Sequence, residues 1–318
     1  MQYYLLYLFL LFDEMGIDHV MEILVMAKKL TSDQIEQYQR EGYLMPLDLF
    51  TRDEALDVRN NIEDLEQSYN SDTSNHPLNQ FFRINGQVVI PFMAEIAQTP
   101  ALLDTVEDIL GPDLMIWSCE LFIKEASTEK VVSWHQDLTY WGLGETDEEV
   151  TAWIAFSDVS KQAGCMKFIP GSHKQSIVPH SDTFSEDNLL SRGQEIAVEV
   201  NENEAVYNQL KPGQMSLHHG RLFHASGPNH SNDRRIGMAI RYVTPSVRQV
   251  VGKRDFGMLA RGADREQNWI NIAQPSTLFG ANEMKLYNEI LEAQSEALTE
   301  GAEQKVGLYA SSNDMAGA

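Results

Sequence analysis

The chain has 318 residues, with 24 basic against 47 acidic side chains and a formal charge of −23. So acidic a surface argues against nucleic acid and anionic membranes as partners, while the length suffices for a single β-rich domain with a large core. The two cysteines, Cys119 and Cys165, form neither a metal-binding spacing nor a disulfide framework and point to a reducing, cytoplasmic setting.

The chain opens on an apolar stretch, Met1 to Phe12, too short to cross a bilayer as a helix. No Lys or Arg precedes Lys28 and Asp13-Glu14 follows at once, so a secretory signal is disfavoured. Met26 is the more natural start. Residues 1–25 are read as an upstream extension without function, residues 26–300 as one catalytic domain, and residues 301–318 as a flexible tail. Thr31-Ser32-Asp33-Gln34 and Thr51-Arg52-Asp53-Glu54 are capping boxes that open two helices, the first ending near Gly42. Thr99-Pro100 opens a third, which closes at Gly111.

From about 113 to 245 strand patterns dominate. Leu121-Phe122-Ile123-Lys124 reads as a strand whose lysine is a candidate for a substrate or co-substrate carboxylate. Thr151 to Phe156 reads as a half-buried strand. The polar stretch 180–205 reads as a lid or insertion, with His180-Ser181-Asp182 in loop. Residues 213–219 form a strand entered through Pro212-Gly213, and Ile236 to Val243 alternates like a buried strand. Residues 281–299 look helical. Helices flanking a β core predict a double-stranded β-helix, the cupin-like jelly roll.

Within Val131-Val132-Ser133-Trp134-His135-Gln136-Asp137, residues i and i+2 of a strand share a face, so His135 and Asp137 aim an imidazole and a carboxylate at one point. Roughly one chance His-x-acid match is expected in a chain of this composition, and His180-Ser181-Asp182 is a second. A further histidine would complete two His and one carboxylate, a set that leaves positions open for co-substrate and O2 on a non-heme Fe(II). His218, His219 and His224 compete for that place. His218 and His219 are adjacent and face opposite sides, so at most one looks inward. If Ser226-Gly227-Pro228-Asn229 begins the turn between two strands, Arg235 opens the next strand and returns beside His224, where it suits a carboxylate, because a buried arginine wants an anionic partner; Arg234 and Arg241 read as surface or structural. Trp134 reads as core and Trp141 as pocket lining. His173, in the turn Pro170-Gly171-Ser172-His173-Lys174, is not needed as a ligand.

Three blocks, Trp134-His135-Gln136-Asp137 with Trp141, Gly164 to Lys174 around Pro170-Gly171-Ser172-His173, and His224-Ala225-Ser226-Gly227-Pro228-Asn229 through Arg235, resemble the motifs of the phytanoyl-CoA dioxygenase family in order and spacing, over residues 31 to 250. The resemblance implies a jelly-roll enzyme that uses Fe(II), 2-oxoglutarate and O2. It implies His135, Asp137 and His224 as iron ligands and Arg235 as the 2-oxoglutarate anchor, with Trp141 and Ser226 assigned beside it. His219 is held as reserve ligand and as the partner that orients the site. Halogenases that resemble these hydroxylases lack the carboxylate, so Asp137 favours hydroxylation of a small organic substrate. A Zn or Mn enzyme without oxidative chemistry, or a non-catalytic jelly roll that only binds, are the alternatives.

Overall fold

The computed structural model describes residues 29–70, 76–182, 188–189 and 194–299. The proposed extension at 1–25 and the tail at 301–318 lie outside them.

Both capping boxes form. The Thr31 hydroxyl accepts from the Gln34 N–H while the Gln34 side chain accepts from the Thr31 N–H, opening α1 (Ser32–Glu41). Gly42 ends it in the left-handed region at φ 81°. Thr51 and Glu54 reciprocate in the same way to open α2 (Arg52–Ser68). Between them runs β1 (Tyr43–Asp48). Three further helices follow: α3 (Leu78–Arg83), α4 (Pro91–Ala97) and α5 (Pro100–Leu110), the last two with proline in the first turn.

The strands are β2 (Leu114–Lys124), β3 (Val132–His135), β4 (Glu149–Ala155), β5 (Met166–Phe168), β6 (His180–Asp182), β7 (Gln194–Ile196), β8 (Val206–Asn208), β9 (Gln214–His218), β10 (His224–Ser226), β11 (Arg235–Val243), β12 (Phe256–Arg261) and β13 (Ile270–Asn271), before a final helix α6 (Ala281–Thr299). A seven-stranded sheet runs β1-β9-β4-β11-β2-β12-β13 and a four-stranded sheet runs β3-β10-β5-β8. These are the two faces of the jelly roll, antiparallel except where β12 meets β13. No helix among the described residues is long and apolar enough to cross a membrane.

The large sheet is buried on both sides. Ile236, Met238, Ile240 and Tyr242 of β11 pack outward with Leu102, Val106 and Ile90 of the helical layer, while Ala239 packs inward with Trp153, Phe168 and Met166. Strand β4 is therefore buried at every position rather than half-buried, since helices cover the face that solvent would otherwise meet. His180-Ser181-Asp182 is strand, not loop: it pairs with Gln194–Ile196 as a small ribbon. Arg235 also departs from expectation. It does not return beside His224 on a neighbouring strand; β10 pairs with β3 and β5, while β11 pairs with β2 and β4 across the interior.

Candidate functional site

His135 ends β3 and His224 begins β10, and the two are cross-strand partners in the small sheet. Asp137 follows His135 in the 3₁₀ turn Asp137–Thr139, held by the Leu138 N–H donating to the Gly220 carbonyl. All three are buried, and one ligand atom from each lies within 4.8 Å of the others. Nε2 of His135 is 3.2 Å and Nε2 of His224 is 3.8 Å from Oδ1 of Asp137. Nδ1–H of His135 donates to the Ser133 carbonyl at 2.9 Å, and Nδ1–H of His224 donates to the Leu222 carbonyl at 2.9 Å. Each ring thus turns its Nε2 toward the Asp137 carboxylate. Two imidazole nitrogens and a carboxylate oxygen converge, a donor set that fits a divalent transition metal bound on one face. Burial opposes the Asp137 charge, but His224, the hydrogen bond from His135 and the nearness of His218 hold its carboxyl well below the usual range.

The opposite wall is the inner face of the large sheet. Register fixes who stands beside whom: Lys124 pairs with Arg235, and Ser118, Arg241, Thr151 and His218 form one row across β2, β11, β4 and β9. Arg235 is 1% exposed; its Nη1 donates to the Gly164 carbonyl at 3.3 Å, and its Nε bonds no other described residue. The guanidinium lies 5.4 Å from the centre of the Trp153 ring. Lys124 is as deeply buried, its Nζ donating to Ser226 Oγ at 2.8 Å and to the Gly227 carbonyl. Burial, and then repulsion from Arg235, pull the lysine down to about 6, and burial pulls Arg235 down to about 10. Two desolvated basic groups without an acidic partner at hand form a socket for a carboxylate, whose arrival favours the charged form of both. Two glycines make room: a Cβ on Gly164 would meet the Gly227 and Pro228 carbonyls at 2.5 Å, and one on Gly237 would meet the Trp153 ring at 2.0 Å.

Of the residues read from sequence, His135, Asp137 and His224 come together, Arg235 lies with Lys124 on the facing wall, and Ser226, two residues after His224 on β10 of the small sheet, accepts from Lys124 across the interior. Trp141 does not join them. It stacks 4.9 Å from Trp117 and 4.7 Å from the Arg241 guanidinium, and the aromatic over Arg235 is Trp153. His219 points away from the metal donors: its Nε2 donates to Asp147 at 3.1 Å, its ring lies 5.4 Å from His173, and burial with Arg221 nearby lowers it to about 4. The inward histidine is His218, 3.9 Å from Oδ2 of Asp137. His173 donates to the Gln39 carbonyl and anchors its turn to α1. Arg234 pairs with Glu66 and Glu125 near the surface, as a structural residue does, whereas Arg241 is buried in the interior row. The inward place of Arg241 was open to reading, because Arg235, Gly237, Ala239 and Arg241 alternate onto one face of a single strand.

Comparison with known proteins agrees with this geometry. Residues 38–237 match the phytanoyl-CoA dioxygenase (PhyH) family. A probable alpha-ketoglutarate-dependent hypophosphite dioxygenase of Stutzerimonas stutzeri is 24% identical over 71% of this chain and 83% of its own length. The human peroxisomal phytanoyl-CoA dioxygenase is 30% identical over 46% of this chain and 44% of its own. Among solved structures, the apo form of the non-heme monooxygenase ThoJ superposes with a TM-score of 0.75 at 29% identity, covering 84% of this chain and 98% of that one. The chain belongs to the phytanoyl-CoA dioxygenase family and is an iron(II)- and 2-oxoglutarate-dependent dioxygenase.

Proposed function

We propose that the enzyme hydroxylates a C–H bond of a small organic substrate, with His135, Asp137 and His224 holding iron(II) and with Arg235 and Lys124 holding the far carboxylate of 2-oxoglutarate. The observation that carries this reading is the pairing of a buried two-histidine, one-carboxylate set with a buried cation pair on the facing wall. One atom of O2 enters the substrate C–H bond; the other enters succinate, and CO2 leaves. Iron, when bound, supplies the binding of the keto acid and the activation of O2. The chain supplies position. The Ser133 and Leu222 carbonyls fix the two imidazoles, and the Arg235 side chain sets the reach of the co-substrate. Phe122, Phe168 and Trp153 line the interior with apolar surface and keep water from a reactive centre. Asp137 favours hydroxylation over halogenation, since its carboxylate fills a coordination position.

Residues 26–300 act as one catalytic unit in this reading. The acidic surface and two buried free thiols support a cytoplasmic enzyme without nucleic-acid or membrane partners. Asp137→Ala should cut substrate-dependent succinate release at least about 100-fold, since even the groups that orient ligands are worth 10–100-fold. Full activity in that variant, or turnover by the zinc enzyme without O2, would replace this reading with non-oxidative metal chemistry; a protein that bound no metal would be a binding module.

A further inference from the structure

Arg241 lies on the same inward face of β11 as Arg235, six residues and so about 20 Å further along the strand. Its row, Ser118–Arg241–Thr151–His218, crosses the large sheet and ends at His218, beside Asp137. A second buried cation therefore stands in the same interior, displaced from the co-substrate socket.

Its surroundings differ from those of Arg235 in one respect that decides the ligand. Nη1 of Arg241 donates to Ser118 Oγ at 3.0 Å and to Glu120 Oε1 at 2.6 Å. Nε is buried and bonds no other described residue. Glu120 has 20% of its side chain exposed against 6% for Arg241 and makes no other ion pair among the described residues. The guanidinium is covered by Trp141, which stacks in turn on Trp117. The Lys124–Arg235 socket offers two cations and suits one end of a dicarboxylate. The Arg241–Glu120 socket pairs a cation with a carboxylate under an indole roof, with a spare donor on the arginine and a spare oxygen on the carboxylate, and Asp137 and Glu149 lie near enough to Arg241 to act on its charge as well. An anion alone would meet Glu120, and a cation alone would meet Arg241; a molecule carrying both charges satisfies both.

Resting on the dioxygenase reading above, we propose that Arg241 and Glu120 bind the substrate's head group and that the substrate is a compact zwitterion, a free amino acid or similar ammonium carboxylate. Its carboxylate sits on Arg241 and its ammonium lies between Glu120 and the Trp141 ring. Its reactive C–H is carried toward the face of the metal set that Asp137 and His218 border.

The test uses the full chain loaded with iron(II) and 2-oxoglutarate without O2, the visible charge-transfer band of the chelate being recorded first. A panel of free α-, β- and γ-amino acids is then added singly, each beside its amide and its N-acetyl derivative. Tryptophan fluorescence and the band are followed, and succinate is measured after O2 is admitted. At least one free amino acid should perturb both signals and speed succinate formation about tenfold or more over the unprimed rate, with its amide and N-acetyl forms losing most of that effect. Glu120→Gln should then weaken the free amino acid while leaving its N-acetyl form little changed, and Arg241→Lys should raise KM far more than it lowers kcat. The proposal is overturned if the band forms yet no free amino acid acts, or if the amide and N-acetyl forms act equally well. A band that fails to form overturns the dioxygenase reading and the proposal with it. Because the analogue series is run on the unaltered protein, a variant that misfolds decides nothing.

Discussion

At Lys124, burial and then the charge of Arg235 bring the ammonium to about 6, far below its ordinary 10.5. A carboxylate arriving between Lys124 and Arg235 offsets the repulsion and, by its own opposite charge, outweighs the burial, so that the lysine regains its charge. The group then holds more protons with 2-oxoglutarate bound than without it, between about pH 6 and the ordinary lysine range. Co-substrate affinity therefore falls as pH rises through that window. Calorimetry at pH 8 in two buffers of different protonation heat should show net proton uptake on binding, and Lys124→Met should abolish it. Equal heats in both buffers for the unaltered protein would remove Lys124 from the socket. Much at this scale was legible beforehand. The spacing of His135 and Asp137 was matched by His180-Ser181-Asp182, so strand-forming neighbours and the family resemblance were needed to single out the pair, as the alternating strand was for Arg235. The choice between His218 and His219 was not legible: adjacency says that they face opposite ways, and only the pairing of β9 with β4 and β1 says which way is in.

Strand β11 carries the site because one face of it spans both sockets. That face runs Arg235, Gly237, Ala239, Arg241, with the glycine under the Trp153 ring where any Cβ would stand 2.0 Å from the indole. Gly237→Ala must push the ring off Arg235 or bend the strand, an overpacking cost of about 1–3 kcal/mol. A lower Tm and several-fold weaker 2-oxoglutarate binding are expected together in thermal unfolding and titration; an unchanged Tm would mean that the ring has room to move. The helices announced themselves through local chemistry, the hydroxyl and amide pairs at Thr31 and Thr51, and their ends at Gly42 and Gly111. Which sheet each strand joins was hidden, since pairing joins residues as distant as Lys124 and Arg235. The turn after Ser226 suggested a hairpin where the chain in fact crosses from the small sheet to the large one. Closeness of Trp141 to Asp137 in sequence likewise does not say that its ring covers Arg241 while Trp153 covers Arg235.

For the whole molecule the excess of acids is the largest long-range force. At −23 the folded surface repels itself, and added salt screens exposed charges over about 10 Å at 0.1 M. Tm should climb as NaCl is raised from low ionic strength to about 0.5 M, whereas a falling Tm would show that surface ion pairs such as Arg59–Asp233 and Arg261–Glu107 outweigh the repulsion. That field also leaves the buried cations of the interior as the favourable places for a small anion. The decisive feature is one interior that joins a metal set on the small sheet to a carboxylate socket on the large one. Its most direct test is anaerobic titration of iron(II) and then 2-oxoglutarate into the metal-free protein. A visible charge-transfer band should appear with the unaltered chain, vanish in His224→Ala, and need about 100-fold more 2-oxoglutarate in Arg235→Ala, the loss of a buried charge pair being worth about 2–5 kcal/mol. A band of unchanged strength and midpoint in both variants would contradict the account.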